Sequence, residues 1–179
     1  MAGNQDSIHG VVVPLLAPVD ETEHLDIAAF QKLIDHCIAG GADVLFAGGT
    51  SGLGPLWPDA EWRRMMETAL DVVAGRVPLL GGVIAPSTAV AVERARLLES
   101  IGYRHMVVTP TFYLPPTRPE EFLAHFAACR DASGMTLVAY NIPSCTHAPI
   151  PVETLVEMGA RGWTKHIKES SGDRAYYAQ

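Results

Sequence analysis

Long hydrophobic runs are missing from this chain of 179 residues. Its apolar stretches, such as residues 11–19, fall far short of the roughly 20 residues that cross a bilayer, and Pro14 and Pro18 interrupt that one. Basic clusters are missing too. Thirteen Lys and Arg stand against 20 Asp and Glu, a formal charge of -7, so nothing is set up to neutralise phosphates, and neither nucleic acid nor membrane is expected as a partner. Cysteine is scarce: Cys37, Cys129 and Cys145 are odd in number and lack CxxC spacing. That disfavours a disulfide framework and fits a reducing, cytoplasmic location. The polar start, residues 1–6, carries no basic-then-apolar secretory pattern. Seven histidines include no HxH or HxxxH pair and no accompanying acidic cluster, which argues against a metal site. Of these, His24, His36 and His125 fall in helical stretches and read as surface residues.

What is present is an apolar composition of 48%, enough for a sizeable core and one domain over 1–179. Short β-rich runs at 10–15, 43–47, 78–83, 105–109, 136–140 and 163–168 alternate with helical patterns at 26–39, 59–74, 87–100, 119–132 and 151–158. In the third helical stretch Val90, Arg94, Leu97 and Leu98 recur at helical spacing behind Ser87 as N-cap; in the second, Asp59 precedes Trp62, Met65, Met66 and Leu70. Gly40, Gly41, Gly75, Gly102, Gly134 and Gly159 mark helix ends. Repeated strand–helix–strand units imply right-handed crossovers and a parallel sheet. An open doubly wound sheet and a (β/α)8 barrel both satisfy that pattern. No G-x-G-x-x-G follows the first strand, which removes the main support for a dinucleotide-binding sheet. Polar and unusual residues gather instead after strands two, four, five and six, where a barrel keeps its chemistry. The fold expected is therefore a (β/α)8 TIM barrel truncated after strand six, a state that would leave two parallel edges unpaired.

Lys168 is the first candidate for that chemistry. It ends the sixth strand, where Thr164, His166 and Lys168 share one face, and it opens the polar run Lys-Glu-Ser-Ser-Gly-Asp. A lysine at a buried strand end loses hydration, which favours the nucleophilic amine; taken alone, a strand-end lysine is more often a solvated surface residue. Tyr140 ends the fifth strand in Tyr-Asn-Ile-Pro. It reads either as packing or as a phenol that moves protons beside the amine. The turn Gly48-Gly-Thr-Ser-Gly-Leu-Gly54 brings backbone N–H groups around Gly49 and the hydroxyls of Thr50 and Ser51 together, and such a turn can hold a carboxylate. The phosphate-loop lysine is absent from it, and a purely structural turn is about as good a reading.

GGTSG at 48–52, VTP at 108–110, YNIP at 140–143 and KESSGD at 168–173 occur on successive strand ends, and with them the chain resembles the dihydrodipicolinate synthase / N-acetylneuraminate lyase family of pyruvate-handling class I aldolases. The resemblance covers essentially the whole chain, and the last two motifs are its specific part. It implies a barrel of which this chain spans about the first three-fifths, and a homo-oligomer. It also implies a 2-oxo acid such as pyruvate as substrate with an aldehyde as partner, and no cofactor beyond a covalent imine. On it, Lys168 matches the Schiff-base lysine, Tyr140 the proton shuttle, and Thr50 and Ser51 the hydroxyl pair that binds the carboxylate. Departures stand beside these matches. Leu53 replaces the family's usual Glu, Phe112 occupies the position of a tyrosine lent between subunits and Tyr113 follows it, and Cys145 stands where dihydrodipicolinate synthases carry a carboxylate-gripping arginine.

Two functions of different kinds remain open on the sequence. One is an imine-forming aldolase or lyase, with retro-aldol cleavage favoured over 4-hydroxy-tetrahydrodipicolinate synthesis by Cys145. The other is an inactive truncated paralogue or small-acid-binding fragment, favoured by chain length.

Overall fold

Short, mostly apolar runs become strands with both faces covered, as parallel sheets require. All of Val44–Ala47 (β2) is buried, and so is all of Leu79–Val83 (β3) and His105–Val108 (β4). The computed structural model describes residues 7–179; the polar start read above for a secretory signal lies outside the described residues. The chain divides into two compact units, one of residues 7–82 and 100–105, the other of residues 83–99 and 106–179.

In the first unit, Val12–Pro14 (β1), β2 and β3 pair in parallel and in chain order. Helix Ile27–Ala39 (α1) joins β1 to β2, with the Asp26 carboxylate accepting from the Ala29 N–H at its start. Helix Asp59–Val73 (α2) joins β2 to β3. Its N-cap is Pro58 rather than Asp59, which becomes the first helical residue; a proline suits that junction because it fixes φ and contributes no N–H. Phe30 and Ile34 of α1 and Trp62, Met65, Met66, Ala69 and Val73 of α2 form the buried helical stripes. Each of the larger ones contributes roughly 1.5–3 kcal/mol by leaving water.

The second unit holds most of helix Thr88–Ile101 (α3) and strand β4. Helix Pro119–Asp131 (α4), strand Thr136–Asn141 (β5), helices Pro143–Thr146 (α5) and Val152–Ala160 (α6), strand Thr164–Glu169 (β6) and helix Arg174–Tyr177 (α7) complete it. The α3 stripe is Ala91, Arg94, Ala95 and Leu98, one position round from the expected Val90 and Leu97. Ser87 takes the expected capping place, its Oγ 3.4 Å from the Val90 N–H. Arg94 is buried because its guanidinium donates to the Ile84 carbonyl at 2.8 Å. Helix α6 runs through Gly159 to Ala160, so the chain turns instead at Gly162, whose φ of 70° suits a residue without Cβ.

Strand β6 is set in register by local anchors. The Arg130 and Arg161 guanidinium groups lie over the Trp163 ring, 4.8 and 4.9 Å from its centre. The Thr164 hydroxyl donates to the Leu137 carbonyl at 2.7 Å. A bulge between Leu137 and Val138 then shifts the pairing, so that Tyr140 stands opposite Lys168 and Asn141 opposite Glu169.

Candidate active site

Parallel pairing of β5 with β6 brings the two strand-end candidates together. The Lys168 Nζ lies 4.2 Å from the centre of the Tyr140 ring and donates to the Ser170 Oγ at 3.0 Å. Tyr140 is buried, 3% exposed, whereas Lys168 is only partly buried. Lys165 and Ile167 alternate outward, and β6 has a strand neighbour only on its β5 side among the described residues.

A hydrogen-bonded clasp fixes this corner. Asn141 is fully buried; its Nδ2 donates to Glu169 Oε2 at 2.7 Å, its Oδ1 accepts from the Ile150 N–H at 3.0 Å, and its backbone carbonyl accepts from the Ser170 N–H at 2.9 Å. The other Glu169 oxygen accepts from the Ser171 N–H. Burial alone would raise the Glu169 carboxyl, but the hydrogen bonds from Ser171 and Asn141 outweigh it and hold the pKa below its ordinary value. Tyr176 of α7 donates to the Ile150 carbonyl at 2.7 Å; burial, with help from Glu169 and Glu153, pushes its phenol up to about 12. Nothing in sequence spacing announces this clasp, because its members meet only through the register of two strands 28 residues apart.

Gly49, Thr50 and Ser51 sit together in the first unit, on the turn that follows β2. The turn packs backbone on backbone. A Cβ on Gly54 would come within 1.9 Å of the Gly48 carbonyl oxygen, and one on Gly82 within 2.1 Å of the same atom. The Gly52 and Gly54 N–H groups donate to the Gly49 carbonyl, and the Trp57 indole donates to the Gly52 carbonyl at 3.0 Å. Gly49 is buried, Thr50 partly buried and Ser51 exposed. Leu53, in place of an acid, holds a left-handed φ of 54°.

His125 is a second correction. Far from the surface, it is 4% exposed, its Nε2 lying 2.9 Å from the Thr109 carbonyl and its Nδ1 3.0 Å from the Thr88 hydroxyl. A neutral ring that donates from Nε2 and accepts at Nδ1 satisfies both. The ring thereby ties the loop after β4 to the start of α3, a role that apolar periodicity cannot reveal. Beyond that loop, Tyr113 and Leu114 are more than three-quarters exposed, while Phe112 is partly buried. Cys145 is exposed on α5. Among the described residues no group of three or more His, Cys, Asp or Glu is placed to hold a metal ion, and no helix is long and apolar enough to cross a membrane.

Six parallel β/α units with polar groups at the C-terminal strand ends define the class as a (β/α)8-barrel architecture represented by its first six units. Residues 7–179 match the dihydrodipicolinate synthetase family, and the chain belongs to it. A 4-hydroxy-tetrahydrodipicolinate synthase of Exiguobacterium sibiricum is 34% identical over 171 residues, 95% of this chain and 58% of the relative. The crystal structure of dihydrodipicolinate synthase from Aquifex aeolicus superposes with a TM-score of 0.85 at 26% identity, over 93% of this chain and 56% of that one. The Escherichia coli K12 prophage protein YagE, solved in complex with pyruvate, gives a TM-score of 0.88 at 22% identity, again over 93% of this chain and 56% of that one. At that identity it speaks for the fold. The chain thus spans under three-fifths of the length of these relatives.

Proposed function

We propose that this chain carries the imine-forming centre of a class I aldolase or lyase acting on pyruvate or a related 2-oxo acid. The observation that carries the reading is the placement of the Lys168 amine over the Tyr140 ring. In this reading the neutral amine attacks the keto carbon, water leaves, and the protonated imine draws electrons from C3 to form an enamine. The Tyr140 hydroxyl moves protons to and from the substrate oxygen. Thr50 and Ser51, with the backbone of Gly49, bind the carboxylate. No cofactor takes part, because the imine is the electron sink. Family membership supports the reading.

Retro-aldol cleavage is preferred to 4-hydroxy-tetrahydrodipicolinate synthesis, the activity named for the Exiguobacterium relative. Exposed Cys145 on α5 offers no cation to a second carboxylate. Self-association belongs to the same reading, with exposed Tyr113 and Leu114 as apolar contacts for another copy, and three free cysteines suit a cytoplasmic setting. The test needs no aldehyde. Pyruvate incubated in D2O with the protein should take up deuterium at C3 through the enamine, and Lys168→Arg should abolish the uptake, since a guanidinium stays protonated. Equal uptake by the two proteins would contradict the proposal.

A further inference from the structure

We infer that Ser170 is a further catalytic residue, its hydroxyl holding the one N–H that the lysine nitrogen keeps throughout imine formation; the inference rests on the aldolase reading of Lys168. Ser170 Oγ accepts from Lys168 Nζ at 3.0 Å, which places it on the reacting atom itself. This is not a loose surface contact. The Ser170 backbone N–H is tied to the Asn141 carbonyl at 2.9 Å, and the Asn141 carbonyl lies one residue from Tyr140. Residues on either side of Ser170 are held as well, Glu169 by Asn141 and the Ser171 N–H by Glu169. The backbone that carries the hydroxyl is therefore held in place, which lowers the reorganisation needed when charge develops.

Proton counting gives it a part. The neutral amine carries two N–H bonds and one lone pair. With one N–H directed at Ser170 and the nitrogen held 4.2 Å from the Tyr140 ring centre, two of its directions are constrained. Attack forms the C–N bond and sends the carbonyl π pair to oxygen. One nitrogen proton is lost, the carbinol oxygen leaves as water after gaining a proton, and the sum is amine plus ketone plus one proton giving protonated imine plus water. The nitrogen then carries a single N–H and the positive charge. That N–H retains the bond to Ser170, and a hydrogen bond from a charged donor is the stronger kind. Ser170 therefore stabilises the imine more than the free amine. The carboxylate of the substrate plays no part in this contact.

The test is a titration of borohydride trapping with pyruvate on wild type, Ser170→Ala and Ser170→Thr, with the modified residue mapped by mass spectrometry. The alanine variant keeps the backbone bonds of residue 170 and should keep its thermal midpoint. Its half-trapping concentration of pyruvate should rise about tenfold, the scale of one hydrogen bond to a charged group. Affinity for lactate, which has the carboxylate but no carbonyl, should stay unchanged, a split that general damage to the site would not produce. Ser170→Thr keeps the hydroxyl and should return close to wild type. Wild-type trapping on Lys168 with an unchanged titration in Ser170→Ala would overturn the role of Ser170 and leave the aldolase reading standing. Absence of a label on wild-type Lys168 would overturn both, and equal loss of lactate and pyruvate affinity in Ser170→Ala would reduce Ser170 to a structural part.

Discussion

Tyr140 and His125 show how differently single residues speak through sequence. Tyr140 sits at a strand end inside a specific motif, and the structure puts its ring beside Lys168. Tyr140→Phe keeps that ring and deletes only the hydroxyl. Deuterium exchange into pyruvate should fall about 10²-fold or more, the scale of a positioned acid–base group, with the thermal midpoint little changed. Near-full exchange would leave Tyr140 a packing residue. His125, by contrast, was legible only as a polar residue in a helix, and its hydrogen bonds to Thr109 and Thr88 required the fold. Burial lowers its pKa below the ordinary 6.5, with the Thr109 carbonyl pulling back upward. The unfolded chain therefore binds a proton at pH values where the folded ring stays neutral. The stability this ring contributes is intact above about pH 6.5, declines as pH falls from there towards the folded value, and is constant below it. Urea midpoints measured between about pH 7 and pH 5 should fall in wild type and flatten in His125→Gln. An identical slope in both proteins would assign the pH dependence elsewhere.

Elements were more legible than their corners. All six strands and five longer helices lie within about two residues of their sequence-read bounds, because alternating apolar runs and helical stripes are strong signals. Helices α5 and α7, of four residues each, are too short to show a period and have no counterpart among the elements read from sequence. At this scale the clasp at Asn141 matters most, because it joins the ends of β5 and β6 to the segment before α6. Asn141→Ala would leave the buried Ile150 N–H without its partner and remove the Nδ2 donor from Glu169 Oε2. The expected loss is about 1–3 kcal/mol, read from urea unfolding. The outer side of β6 is a second element-scale feature: Ile167 is exposed there, and Val156 and Tyr177 line an open cavity of about 300 Å³ with it. Such a strand templates association. Ile167→Lys should reduce concentration-dependent light scattering while leaving deuterium exchange intact, and scattering unchanged by that substitution would clear β6 of the blame.

For the molecule as a whole, the sequence motifs, the strand order and the family match agree on a (β/α)-barrel member of the dihydrodipicolinate synthetase family. The charge of -7 is spread along the chain and the proposed chemistry lies at strand ends, which is why composition speaks only to the classes of partner not expected while the motifs point to a reaction. The turn proposed to bind the carboxylate and the lysine corner are far apart in sequence, and their joint role is part of the proposal. The central claim is that Lys168 is the nucleophile. Its most direct measurement is the mass of the folded 179-residue protein after pyruvate and borohydride, followed by peptide mapping. One reduced pyruvate adduct is expected, on Lys168 and absent from Lys168→Arg. An unmodified Lys168 in folded protein, or an adduct on Lys165 or Lys32 that persists in Lys168→Arg, would contradict it.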